Sequence, residues 1–187
     1  MTAKAARTFA LRAWRGVGLF AALILCAHSA GLRVNESPSL PLGIWRVSPL
    51  ERELRRGDIV SFCPTDTPAF REARVRGYLS AGHCEGGYEP LLKPVAAIAG
   101  DRVSGTHEGI RINGRLIASS KRLNRDGLGR ILPSPGARDV IVAKGEVWVI
   151  SSYNSLSFDS RYFGPVPIAR IEGRAHPLFI FHSLRDP

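Results

Sequence analysis

"EPLLKPVAAIAGDRV", Glu89–Val103, is a short apolar run that closes on a Gly-Asp turn and carries one lysine, Lys93, behind two leucines. A run of this length, bounded by turn residues, reads as a buried β-strand rather than a helix. The segments around it agree. "GIWRVSPL" (Gly43–Leu50), "GDIVSFC" (Gly57–Cys63) and "GEVWVISS" (Gly145–Ser152) are rich in β-formers, and "GIRINGRLIA" (Gly109–Ala118) holds an Asn-Gly pair, the short-range signal of a hairpin. No stretch after Arg33 shows a period of 3.6, and there is no internal repeat. "SSKRLNRDGLGRILPSPGARD" (Ser119–Asp139) is polar and turn-rich and reads as a surface excursion. The expected fold is mainly β, a strongly curved set of antiparallel sheets.

A chain of 187 residues has room for one packed domain. Its net charge is +10, but four of the cations, Lys4, Arg7, Arg12 and Arg15, stand in the first fifteen residues without an acid among them. "GVGLFAALILCAHSAGL" (Gly16–Leu32) then runs without a formal charge, about long enough to span a thin or locally thinned bilayer. The expectation is a basic cytoplasmic segment over 1–15, a transmembrane anchor over 16–32, and an exported domain over 33–187 on the far side of the membrane. A cleavable signal ending near Ala27–Ala30 is the competing reading, and it too exports the domain. The remaining charge of +6 is scattered. Only Arg52–Arg56 and Lys121–Arg125 cluster, and no aromatic residue is interleaved to stack a base, so nucleic acid is not an expected partner. Anionic lipid beside the anchor is the simpler attraction.

Three cysteines divide between these parts. Cys26 is a small hydrophobe in the apolar run. Cys63 and Cys84 belong to the exported part, where a disulfide between them is the simplest pairing. Zinc is the alternative, weakened because neither belongs to a paired C-x-x-C or stands near spaced histidines. No metal and no cofactor are expected.

Three stretches carry chemistry. In "NESPSLPLGIW" (Asn35–Trp45), prolines on both sides of Ser39 restrict the backbone and hold its hydroxyl and N–H in a fixed pose, although Ser-Pro segments also serve as linkers. A serine hydroxyl needs a base. His28 lies within the expected anchor, and His83, His107, His176 and His182 have no paired acid motif and read as surface or packing residues, whereas Lys93 lies in apolar surroundings that lower an ammonium pKa and free a neutral amine. The plain alternative is a lysine snorkelling from a strand edge. In "SLSFDSRYFGPVP" (Ser155–Pro167), Ser157 is suited to orienting that amine and Asp159 and Arg161 to bracing the site; the alternative is a turn with one salt bridge.

In this order the three boxes resemble the serine-lysine signal peptidases. "SPSLP" is similar to that superfamily's nucleophile box, "LLKPVAAIAGDRV" to its lysine box and "SFDSRYFGPVP" to its Ser-x-Asp-Ser-Arg box. The short "PSLPLGIW", the two exported cysteines and the compact length resemble the conjugative-transfer peptidases of the TraF type more than the general leader peptidases. The resemblance implies a curved β domain on one membrane helix, Ser39 as nucleophile, Lys93 as general base, the Ser39 N–H and Ser37 hydroxyl as oxyanion donors, and Ser157, Asp159 and Arg161 in support. It further implies a membrane-held precursor as substrate, a pilin in plasmid transfer systems, released by water or by its own N-terminus to give a cyclic product, with the enzyme at a bacterial inner membrane and its domain periplasmic. A general leader peptidase and a catalytically silent envelope scaffold are the competing functions. Trp45, Ile44 and Leu42 are candidates for an apolar apron near the bilayer, or for packing the first strand.

Overall fold

The computed structural model describes residues 3–133 and 139–181, with side chains from Trp14 onward. His182, Ser134–Arg138 and the side chains of Lys4, Arg7 and Arg12 lie outside the described residues. Helix α1 (Ala3–Ser29) leads into strand β1 (Leu32–Asn35), and β2 (Gly43–Ser48) returns antiparallel beside it. Strands β3 (Ile59–Phe62) and β4 (Leu91–Ala97) follow, separated by helix α2 (Pro68–Val75). A hairpin-rich section holds β5 (Arg102–Gly105), β6 (Ile110–Ile112), β7 (Arg115–Leu116) and β8 (Asp139–Ile141). The chain closes with β9 (Glu146–Val149), the short helix α3 (Ser160–Phe163), β10 (Val166–Pro167) and the long β11 (Ile171–Ile180).

These strands form a seven-stranded sheet in the order β1-β2-β11-β3-β4-β9-β10 and a four-stranded sheet in the order β7-β6-β5-β8, with every pairing antiparallel. The mainly β reading therefore holds. The Asn-Gly signal is a two-residue turn, with Asn113 at φ 50° and Gly114 at φ 82°, which pairs Ile112 with Arg115. A large core under the first sheet gathers Val60, Phe62, Phe70, Tyr88, Val95, Val149 and Tyr162. A second, around Val103, Ile112, Val142 and Trp148, lies under the smaller sheet. Asp101, at the Gly-Asp turn, ties the two: it accepts from Arg56 Nε at 2.7 Å and from Asn113 Nδ2 at 2.8 Å.

One expectation needs correction, and a second finds no support. After the N-terminal segment there is a regular helix, α2, capped by the Thr67 hydroxyl accepting from Phe70 N–H and started by Pro68. Only Phe70 and Ala73 are buried on it, so its two turns are too short to print a 3.6-residue period. The N-terminal segment is also helical, but among the described residues no helix is long and apolar enough to cross a membrane. The helix stops early. Its charge-free part, Gly16 to Ser29, is about 21 Å long at ~1.5 Å per residue, against a hydrocarbon core of ~30 Å. Leu32, the last residue of the expected anchor, already belongs to β1.

Candidate active site

Strand β4 places the lysine. Its side chains alternate, so Lys93, Val95 and Ala97 face inward together, and Lys93 is only 3% exposed. An ammonium there has lost its water, and burial pushes Lys93 down to about 8; the Asp159 carboxylate opposes that fall and the Arg161 guanidinium adds to it. The amine does not snorkel. Its Nζ lies 2.5 Å from Ser39 Oγ and 2.8 Å from Ser157 Oγ, while the two hydroxyls are 3.2 Å apart.

Ser39 stands in the loop between β1 and β2, itself 6% exposed. The Ser37 Oγ is 3.1 Å from Ser39 Oγ and accepts a long, 3.4 Å bond from the Ser39 N–H. Behind them Asp159 and Arg161 are fully buried as an ion pair, Arg161 Nε to Asp159 Oδ1 at 2.8 Å and Nη2 to Oδ2 at 2.9 Å. The remaining guanidinium hydrogens go to carbonyls of Ser119, Lys121, Ser155 and Ser157. Asp159 also caps α3 by accepting from the Arg161 N–H. The structure thus brings Ser37, Ser39, Lys93, Ser157, Asp159 and Arg161 into one neighbourhood although they come from three distant boxes.

Beside the serine and lysine lies a cleft of about 410 Å³, walled by Val34 and Asn35 of β1, Leu91 and Leu92 of β4, and Tyr78 and Leu79 of the loop after α2. Cys63 and Cys84 are joined by a disulfide that closes that loop. Of the apron candidates, Trp45 is buried at 1% exposure and packs with Leu40 and Ala175, which removes it from any outer face; Leu42 is exposed. The described histidines lie outside the serine-lysine cluster: His83, for example, faces Glu172 at 2.9 Å.

The family model described as signal peptidase, peptidase S26, matches residues 7–180. The chain belongs to the S26 signal peptidase family. A conjugal transfer protein TraF of Agrobacterium tumefaciens (strain 15955) is 44% identical over 89% of this chain and 93% of its own length. A plasmid transfer protein TraF of Escherichia coli is 38% identical over 84% and 89%. A signal peptidase I of Enterococcus faecalis V583, of known crystal structure, is 20% identical over 66% of this chain and 97% of its own, with a TM-score of 0.39. Membership of S26 makes a peptidase the class of function, and the TraF relatives agree with the resemblance read from the sequence.

Two residues of this S26 site were not assigned a role from the sequence. Asn35, 6% exposed, turns its side chain into the serine loop: Nδ2 donates to the carbonyls of Ser37 (3.0 Å), Leu40 (3.2 Å) and Pro41 (3.0 Å), and Oδ1 accepts from the Ser37 N–H at 3.2 Å. Ser151 donates its hydroxyl to the Ser39 carbonyl at 2.5 Å and its N–H to Asp159 Oδ2 at 3.0 Å. It links the buried ion pair to the backbone of Ser39 directly. The signal for Asn35 was its place at the head of the serine box, since a polar residue entering a proline-rich loop is suited to bonding its backbone; that for Ser151 was the Ser151-Ser152 pair standing where the leader peptidases carry Gly-Asp.

Proposed function

We propose that the chain is a serine-lysine endopeptidase that matures a membrane-held precursor protein, the pilin precursor of a conjugative system. The observation that carries this reading is Lys93 Nζ at 2.5 Å from Ser39 Oγ, inside an environment that brings the amine to about 8. A neutral amine in that position takes the Ser39 proton as Oγ attacks the scissile carbonyl. The developing oxyanion is met by the Ser39 N–H, whose present bond is long, and by the Ser37 hydroxyl. The resulting Lys93 ammonium then protonates the leaving amine, and an ester to Ser39 remains. Water, or the N-terminal amine of the same product, next gives its proton to Lys93 as it attacks the ester; Lys93 passes that proton to the departing Ser39 Oγ, and the acyl group leaves linear in the first case and cyclic in the second. Ser157 holds the amine throughout, and Asp159 with Arg161 fixes Ser157 through its carbonyl.

The cleft supports a peptide substrate. Strand β1 is an edge strand, so an extended segment can add to it with its side chains reaching the apolar wall at Leu91 and Leu92. The lipid bilayer is the second partner we propose, with the β domain on the periplasmic side of a bacterial inner membrane. Support comes from α1, which exposes Trp14, Val17, Leu19, Phe20, Leu23 and Leu25. The TraF relatives support the conjugative substrate.

The test is intact-mass spectrometry of a co-expressed pilin precursor with the wild-type chain and with Ser39→Ala. Trimming by wild type alone is the expected result, and a product one water lighter than the linear form identifies cyclisation. If Ser39→Ala trims as well as wild type, the serine-lysine mechanism is wrong. A secretory precursor cleaved while the pilin is left intact would reassign the enzyme to general leader processing.

A further inference from the structure

We propose that Cys63, His83, Cys84 and Glu172 form a zinc site in the thiol state of the protein, so that a metal holds the cleft wall when the disulfide is open. Their candidate ligand atoms all lie within 4.8 Å of one another. Two sulfurs, an imidazole and a carboxylate are a donor set suited to Zn²⁺. The sequence separates Glu172 from the cysteines, and the fold brings it back through an irregularity in the sheet. Between β11 and β3 the register runs Ile171 to Phe62 and then Gly173 to Ser61, which leaves Glu172 as the extra residue of a bulge. Bulges re-aim side chains, and this one turns Glu172 toward the cysteine pair. Its Oε1 is 2.9 Å from His83 Nε2 and 3.7 Å from Cys63 Sγ.

The outer layer is in place too. Glu172 Oε2 accepts from the buried Ser61 hydroxyl at 2.8 Å, so Oε1 is the oxygen left for a metal. The Cys63 N–H is fixed to the Arg170 carbonyl at 3.0 Å, and Cys84 N–H to Tyr88 O at 2.9 Å, so both cysteine backbones are anchored independently of the sulfur bond. A tetrahedral zinc site has bonds of about 2.3 Å to sulfur and about 2.0 Å to nitrogen and oxygen. The sulfurs therefore only have to swing apart around a centre that His83 and Glu172 already border.

The chemistry balances with a dithiol or phosphine reductant. Two electrons and two protons break the Sγ–Sγ bond and give two thiols; Zn²⁺ then displaces both thiol protons to solvent and takes the thiolates, a neutral imidazole and the carboxylate. The consequence lies beside the active site. Gly77, Tyr78, Leu79, Ser80, Glu89 and Pro90 line the cleft, and Cys84 sits within the loop they frame. Opening the disulfide removes the covalent tie between that wall and the end of β3, and zinc restores a tie there. This inference is independent of the peptidase reading.

The experiment is a cobalt titration of the full-length chain in detergent, reduced with a phosphine, followed by zinc displacement. We expect one equivalent of cobalt with the visible bands of tetrahedral coordination and thiolate-to-cobalt charge transfer, both bleached by zinc, and neither in the oxidised protein. His83→Ala and Glu172→Ala should each weaken binding about tenfold or more, and Ser61→Ala by about tenfold. Thermal unfolding of the reduced chain, with and without zinc, gives a second readout, since a ligand bound to the folded state raises its melting temperature. Absence of a thiolate-cobalt band overturns the proposal, as does undiminished binding in both His83→Ala and Glu172→Ala. A reduced chain that is unfolded and that zinc does not refold overturns it as well.

Discussion

A buried lysine is a liability to the fold, and Lys93 displays it. Near neutral pH the folded protein must either desolvate an ammonium or give up its proton, since its folded value is about 8 against an ordinary 10.5. Between those values the unfolded chain binds more protons than the folded one, so stability rises as pH climbs through that window. Lys93→Met should therefore abolish processing and yet stabilise the protein near pH 7, on the order of 3 kcal/mol, the gain fading as pH approaches that of an ordinary lysine. Thermal melts of the two proteins across pH measure it. Processing by wild type should rise with pH through about 8 and then level; a rate flat across that value removes Lys93 as the base. Asn35 acts through geometry instead. Asn35→Ala leaves the Leu40 carbonyl and the Ser37 N–H without a partner and takes one of two donors from the Ser37 and Pro41 carbonyls, and should cost about 1–3 kcal/mol of stability, with the loss in kcat/KM falling on kcat. Asn35→Asp keeps only the acceptor for the Ser37 N–H and should restore little. Lys93 was legible because it is the one charge within a continuous apolar run, where an ammonium has few charged partners in sequence. The roles of Asn35 and Ser151 were not, because both bond backbone groups, which carry no residue identity, and Ser151 does so across 112 positions.

At the scale of elements, short β runs announced themselves by composition and by turn pairs such as Asn113-Gly114, whereas α2 did not, since two turns cannot establish a period. The N-terminal segment was legible as apolar but not in its end point. That end is set by Gly31, at φ 79°, where a Cβ would lie 2.1 Å from the Val47 carbonyl oxygen; this carbonyl belongs to β2, which also donates the Val47 N–H to Gly31 O at 2.8 Å. The close approach stops the helix and starts the β1–β2 pair that displays Ser39. Gly31→Val should cost at least about 2 kcal/mol, from strained backbone and displaced strand together, and should lower processing as well as the melting temperature. Gly57→Ala, at a positive φ but with open space around it, serves as the comparison and should be milder.

At the scale of the molecule, two sheets have to meet in one relation for the boxes to converge, and Asp101 is a joint between them. The Arg56 guanidinium, helped by the Ile98 N–H and Asn113, holds its carboxyl at about 2. Its contribution is present above the ordinary aspartate range near pH 4 and is lost as pH falls through about 2. Asp101→Asn should lower the melting temperature at neutral pH, with the difference from wild type shrinking in acid; an unchanged gap at low pH would assign the effect to packing. The converging ion pair has a different consequence. Arg161 satisfies its hydrogens only when three separate stretches, around Ser119–Lys121, Ser155–Ser157 and Asp159, have all arrived. If any of these stretches were displaced within the folded protein, the fully buried cation would be left short of acceptors, so the surroundings of Arg161 tolerate little partial disorder. The same stretches reach Ser157 through its carbonyl and Ser39 through Ser151, so loosening any one of them should slacken the whole serine-lysine neighbourhood at once.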